Sequence, residues 1–127
     1  AADVRPRRRA LVRQLLRSLK NGNHLGMMVD QKMNDGIAAP FFGLPAMTAT
    51  ALVDLALRFD CPVVPIRVER IGGAHFRMII GPGMELIRTG DRTADIAVNV
   101  ASMNAVIEGW VRARPEQWLW LHNRWVD

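Results

Sequence analysis

The chain has 127 residues, a formal net charge of +5, one cysteine and hydrophobic residues at half its positions. That length suits one domain with a real core, and the single Cys61 excludes an internal disulfide and any zinc site built on several cysteines. No apolar run approaches the ~20 residues that span a bilayer, no signal peptide is visible, and there is no P-loop or dinucleotide fingerprint.

Charge is uneven along the chain. Residues 1–23 carry seven basic side chains against Asp3 alone, a net of +6, while the remainder carries ten basic and eleven acidic, a net of −1. This pattern points to a local anionic contact rather than to a globally basic nucleic-acid binder. Residues 1–23 also hold no aromatic side chain for stacking on bases, so no nucleic-acid partner is expected.

Arg5 to Lys20 reads as an amphipathic helix. Pro6 suits its first turn and Asn21-Gly22 its stop. Leu11, Leu15 and Leu19 recur every four residues, while Arg9, Arg13 and Arg17 share another face. The basic face is either a solvated surface or a contact for anionic lipid, each basic residue contributing about 1 kcal/mol near such a surface. His24 to Val29, rich in Leu, Met and Val, reads as a buried strand. It ends at Asp30, where a polar loop with the turn signal Asn34-Asp35-Gly36 begins. Pro40-Phe41-Phe42-Gly43 closes that loop. Polar groups after a strand, then a loop and a helix, form the usual ligand position of open α/β sheets.

Thr48 to Phe59 reads as a helix, with Thr48 as its N-cap. Asp60-Cys61-Pro62 ends it. Val63–Arg70 and His75–Ile80 read as strands of an antiparallel hairpin around Ile71-Gly72-Gly73-Ala74. Pro65 favours an edge, a bulge or a strand start. Phe76, Met78 and Ile80 share one face of the hairpin, with His75 and Arg77 on the other. Asp91 caps a long helix to about Ala113, whose stripe is Ile96, Val100, Met103, Ile107 and Trp110. All four tryptophans lie in the last 18 residues, either as a staple of the C-terminus onto the core or as an interfacial anchor. The fold class expected is α/β, a mixed sheet flanked by helices, in a single domain over residues 1–127.

Complete catalytic machinery is not apparent in these residues. His24 and Asp30 are separated by five residues, and on a strand they lie about 20 Å apart at ~3.3 Å per residue, too far for a base and its orienting carboxylate. His24, Asp30 and Asp35 on one loop make a poor metal set, and no metal or cofactor is expected.

Two motifs carry a resemblance. Val29-Asp30-Gln31, with Gly36 and then Phe41-Phe42-Gly43, resembles a block of the lipid A biosynthesis acyltransferases, the lauroyl and myristoyl transferases of the lysophospholipid acyltransferase superfamily. The tail from Arg114 to Trp125 resembles that family's closing pattern of Pro-Glu-Gln-aromatic-x-Trp-x-His-x-Arg-aromatic. Pro62-Val63-Val64-Pro65 is similar to the superfamily's Val-Pro block. The resemblance implies fatty acyl transfer from an acyl carrier protein thioester, or acyl-CoA, to a hydroxyl of a lipid A precursor. A histidine acts as base and an acidic residue orients it, in a His-x4-Asp/Glu block well upstream of the Asp-Gln loop. The chain thus resembles the C-terminal part of such an enzyme, from the cytoplasmic face of a bacterial inner membrane, and Ala1 does not look like a natural start.

The substrate-binding residues implied are Asp30, Gln31, Gly36, Phe41, Phe42, Gly43 and Thr48, with no catalytic residue in the chain itself. Asp30 and Gln31 match the position of an acceptor headgroup, Phe41 and Phe42 an acyl-groove wall or plain core, and Lys32 and Arg67 phosphate donors. Pro65, Pro115, Glu116, Gln117, Trp118, Trp120, His122 and Arg124 belong to the structural motifs. Two alternatives stand beside this reading: an acyltransferase for another phospholipid or glycolipid acceptor, and a non-enzymatic module binding anionic membrane through the basic helix.

Overall fold

The computed structural model describes residues 5–121 and 123–125. In chain order the elements are α1 (Arg5–Lys20), β1 (Ile37–Phe41), β2 (Leu44–Thr48), α2 (Ala51–Phe59), β3 (Ile66–Gly72), β4 (His75–Ile80) and α3 (Arg92–Ala113), followed by a 3-10 turn over Pro115–Gln117. The class is α/β, and the three helices fall where the periodicity places them. The strands do not join one mixed sheet. They form two antiparallel pairs, β1–β2 and β3–β4.

The strand expected at His24–Val29 is not laddered. Its side chains do alternate, with Leu25, Met27 and Val29 half-buried and Met28 80% exposed. Among the described residues this stretch pairs with no strand, and Val29 packs against both core clusters. The stretch after Asp30 also departs from the strand–loop–helix reading, because residues 37–48 are a hairpin. Its two-residue turn is Phe42-Gly43, with φ of 52° and 76°. Both central residues are left-handed, as a type I′ turn requires. Phenylalanine is a poor occupant of that region, so composition alone conceals the turn. Pro40 and Pro45 oppose each other in the ladder. The Pro40 carbonyl faces away from its partner strand and accepts from Asn104 Nδ2 at 3.1 Å, so the pair sits where no ladder N–H is needed.

Thr48 is the last residue of β2, not a helix cap. The cap position of α2 is Thr50, which makes no side-chain cap bond. Gly36 explains the close approach of the preceding loop. A Cβ there would lie 2.0 Å from the Thr48 carbonyl oxygen. Met33 N–H donates to the Met47 carbonyl at 3.0 Å, and Gly36 N–H to Met33 O at 2.9 Å.

The spine is α3. Asp91 caps it by accepting from Ala94 N–H. Val100 and Met103 pack with Ala39 and Val53, while Ile107 and Val111 pack with Phe41 and Ala46. Each buried Val, Ile, Met or Phe among them contributes about 1.5–3 kcal/mol. Polar side chains of α3 hold the irregular segment before it. Asn99 pairs both ways with Ile87, accepting its N–H and donating to its carbonyl at 2.8 Å each. Asp95 accepts from the Thr89 hydroxyl at 2.7 Å and from the Thr89 and Gly90 N–H groups. The Thr89 hydroxyl is the main cause that lowers the Asp95 carboxyl below its ordinary value, against the opposing effect of burial. Among the described residues, no side chain of α1 joins either core cluster, and Leu11 and Val12 stay exposed. No described helix is long and apolar enough to cross a membrane.

Candidate functional site

The pattern of β3–β4 creates the site. Arg67 pairs with Ile79 and Glu69 with Arg77 on one face, and on the other Ile66 pairs with Ile80 and Val68 with Met78. The face carrying Arg67 and Glu69 is turned inward. Glu69 is 7% exposed, while Phe76, Met78 and Ile80 are each at least 60% exposed. Beneath the inward face lies a cavity of about 440 Å³, walled by Met27–Asp30, by Ile66–Glu69 of β3, by the last turns of α3, and by Gln117 and Trp118.

Two guanidinium groups meet one carboxylate there. Arg67 Nη2 lies 3.1 Å and Arg114 Nε 3.5 Å from Glu69 Oε1. Arg67 also lies over the Trp110 ring, 6.0 Å from its centroid. Its Nε is buried with no hydrogen-bond partner. Asp30 also lines the cavity. The remaining walls are apolar, chiefly Met27, Val29, Ile107 and Trp110. One concave site thus combines apolar walls with a few placed polar groups, the usual make-up of a ligand pocket.

The closing tail builds the frame around this cavity. Gln117 imitates a strand partner to β3, accepting from Arg70 N–H at 2.9 Å and donating to Arg70 O at 3.1 Å. Trp118 meets Phe41 edge-on at 5.5 Å and Trp120 at 4.7 Å. Trp120 Nε1 donates to the Pro115 carbonyl at 2.7 Å and Trp125 Nε1 to the Phe41 carbonyl at 2.9 Å. Arg124 is 1% exposed. It donates to Met47 O at 2.8 Å, Thr48 Oγ1 at 3.2 Å and Asn104 Oδ1 at 3.3 Å, with its guanidinium 5.3 Å from the Phe41 ring. Burial lowers its pKa, and the charge of Asp30 opposes that shift. Met47 O also holds Met33, so the Arg124 bond ends on the same carbonyl that fixes the Asp30–Gly36 loop.

The residues singled out in the sequence therefore separate. Asp30 and Arg67 line the cavity. Phe41 and Thr48 lie in the core. Phe42 and Gly43 form the hairpin tip, where Phe42 N–H donates to Glu108 at 2.9 Å and Arg112 lies 4.7 Å over the Phe42 ring. The paired Arg112 is the main cause lowering the Glu108 carboxyl. Gln31 is exposed and Lys32 half-buried, outside the lining. Gly36 serves the close backbone approach already described. Glu116 is exposed in the 3-10 turn, and Pro65 immediately precedes β3. Sequence reasoning missed Glu69, Asn104 and the cavity role of Arg114, none of which carries a signal until β3 and the tail are placed together.

The whole chain matches a family model, described as bacterial lipid A biosynthesis acyltransferase, over residues 2–127. The chain belongs to that family. Direct comparison with curated proteins returns no match. In this acyltransferase, none of the cavity-lining residues is a histidine, and His24 and His75 are exposed. His122 stands five positions before Asp127, a His-x4-Asp spacing. Both lie outside the described residues. Arg124 and Trp125, between them, are committed to Met47, Thr48, Asn104 and Phe41.

Proposed function

We propose that this lipid A biosynthesis acyltransferase moves a fatty acyl chain from an acyl carrier protein thioester, with acyl-CoA as the other donor class, to a hydroxyl of a lipid A precursor. The match to the family over residues 2–127 carries this reading. The cavity supports it, because an acylated sugar needs apolar walls for its chain and hydrogen-bonding groups for its head. Asp30, an acceptor at the cavity edge, suits a sugar hydroxyl, and Arg67 suits an anionic group. Phe41 and Thr48 support the site from the core, and the Phe42-Gly43 tip fixes the hairpin on α3.

The reaction needs a base within hydrogen-bond reach of the attacking hydroxyl, a contribution of about 10²–10⁴-fold in rate. On this reading the base is a histidine in a His-x4-Asp/Glu block outside the 127 residues, and these residues form the C-terminal part of an acyltransferase domain. The enzyme works at the cytoplasmic face of a bacterial inner membrane, where the basic face of α1 meets anionic lipid. The test is transfer from an acylated carrier protein to a lipid A precursor, by the 127-residue chain and by a version extended upstream. Activity in the extended form alone, lost when its motif histidine becomes alanine, is the expected result. Activity in the short chain that disappears with His24→Ala or His122→Ala overturns it.

A further inference from the structure

The face of β3 that the fold turns inward is charged, and a second guanidinium, Arg114, joins it from the end of α3. Arg67 and Arg114 share Glu69, two cations to one carboxylate. Asp30 also lines the cavity, so the excess of cation is confined to the cluster on Glu69. That cluster alone has two guanidinium groups on one carboxylate, a formal +1, and Asp30 balances it over the lining as a whole. Arg67 Nε is buried and lacks a hydrogen-bond partner, an unusual condition for a strong donor in a folded protein. Glu69 and the Trp110 ring hold the Arg67 guanidinium in place, so little side-chain freedom remains to be lost on binding. Beside these donors run Met27, Val29, Ile107 and Trp110, an apolar wall without a charge.

We propose that Arg67 and Arg114, set by Glu69, form an anion clamp for a phosphate ester carried on an acyl chain, with the chain along the apolar wall. A guanidinium presents a planar fork of donors that matches phosphate oxygens. A carboxylate shared between two such forks spaces them without using all their N–H groups. The apolar wall makes the ligand an amphiphile rather than a free phosphate. The proposal rests on the reading that this cavity seats the lipid substrate, and it deepens that reading by naming the group recognised. Two sources carry this chemistry, the phosphomonoester of a lipid acceptor and the phosphodiester of a carrier-bound donor.

The test measures binding alone, without acyl transfer, so it fails or succeeds independently of the assay above. Decyl phosphate, methyl decyl phosphate, decyl maltoside and inorganic phosphate are titrated below micellar concentrations into the 127-residue chain. Calorimetry gives the affinity, and quenching of tryptophan fluorescence in a Trp120→Phe, Trp125→Phe background, which keeps the lining residues Trp110 and Trp118, reports occupancy of the cavity. Decyl phosphate or its methyl ester is expected to bind roughly tenfold or more tighter than the neutral maltoside, the discrimination of a charged hydrogen bond. Preference for the monoester assigns the clamp to the acceptor, and preference for the methyl ester assigns it to the donor. Arg67→Gln and Arg114→Gln should each lose most of that preference, with circular dichroism confirming that the fold is kept. Arg67→Lys serves if Arg67→Gln unfolds, keeping the charge but losing the fork, and should bind between the two. Equal affinity for maltoside and phosphate overturns the proposal, as does inorganic phosphate binding as tightly as decyl phosphate. Unchanged affinity in folded Arg67→Gln and Arg114→Gln also overturns it.

Discussion

The two hairpins obey the same alternation and bury opposite chemistry. In β1–β2 the inward residues are Ala39, Phe41, Ala46 and Thr48, each at most 2% exposed. They close against α3 and are locked by the tail. In β3–β4 the inward residues include Arg67 and Glu69, while Ile66, Val68, Phe76, Met78 and Ile80 stand exposed. Alternation therefore tells which residues share a face, and packing decides which face is inside. The first hairpin packs its inward face into the core. The second turns a charged face to a cavity and leaves an apolar face that the rest of the described chain does not cover.

The largest effects should fall on the first hairpin. Phe41→Ala removes a ring that packs against Trp118 and Trp125, and should cost about 3–5 kcal/mol in chemical denaturation. Arg124→Ala leaves Met47 O, Thr48 and Asn104 without their charged donor. Met47 O keeps Met33 N–H and Thr48 Oγ1 keeps Asn104 Nδ2, so the unpaired acceptor is Asn104 Oδ1, and the loss should be about 1–3 kcal/mol, below that of Phe41→Ala. A loss under 1 kcal/mol in both would erase the distinction between the hairpins.

Gly36→Ala forces a Cβ against the Thr48 carbonyl. It should cost roughly 1–3 kcal/mol, as other overpacked sites do, and protease sensitivity should rise around Asp30–Gly36 first. If melting and cleavage are both unchanged, the loop does not depend on its seat against β2.

Acid should loosen the α3 supports. The folded-state pKa values of Asp95 and Glu108 are both lowered. A depressed carboxyl contributes stability that is full above its unfolded value of about 4 and is lost as pH falls through the folded value. Stability should therefore decline from about pH 5 downward. Asp95→Asn should flatten that decline, seen as a smaller drop in Tm between neutral and acid buffer. An unchanged slope in Asp95→Asn would place the acid sensitivity elsewhere.

The smallest effect belongs to the outer face of β3–β4. Met78→Lys and Phe76→Ser replace side chains 64% and 60% exposed, so stability should stay within about 0.5 kcal/mol. A loss of several kcal/mol in the 127-residue chain would show that this face is covered in solution.

Helices were the most legible part of the sequence, because caps and period fix α3 from Asp91 onward. The β1–β2 hairpin was hidden, since Phe42-Gly43 lacks the Asn-Gly signature of its turn and Pro40 and Pro45 argue against strands. Local pattern also misplaced Thr48. Its hydroxyl answers to Asn104 and Arg124, 56 and 76 positions away, a relation no window of sequence contains. Of the residues singled out in the sequence, Asp30 and Arg67 line the candidate cavity. Glu69 and Arg114 become neighbours only when the tail folds back along β3.

The central claim is that substrate sits beneath the inward face of β3, not at the Phe42 tip or on the outer apolar face. Photo-crosslinking tests it most directly, with a lipid A precursor analogue bearing a photoreactive group in its acyl chain and mass spectrometry to locate the adducts. The account predicts adducts on Met27–Val29 and on Ile107 or Trp110, competed by unlabelled precursor. Adducts confined to Phe42–Leu44 or to Phe76–Ile80 would contradict it.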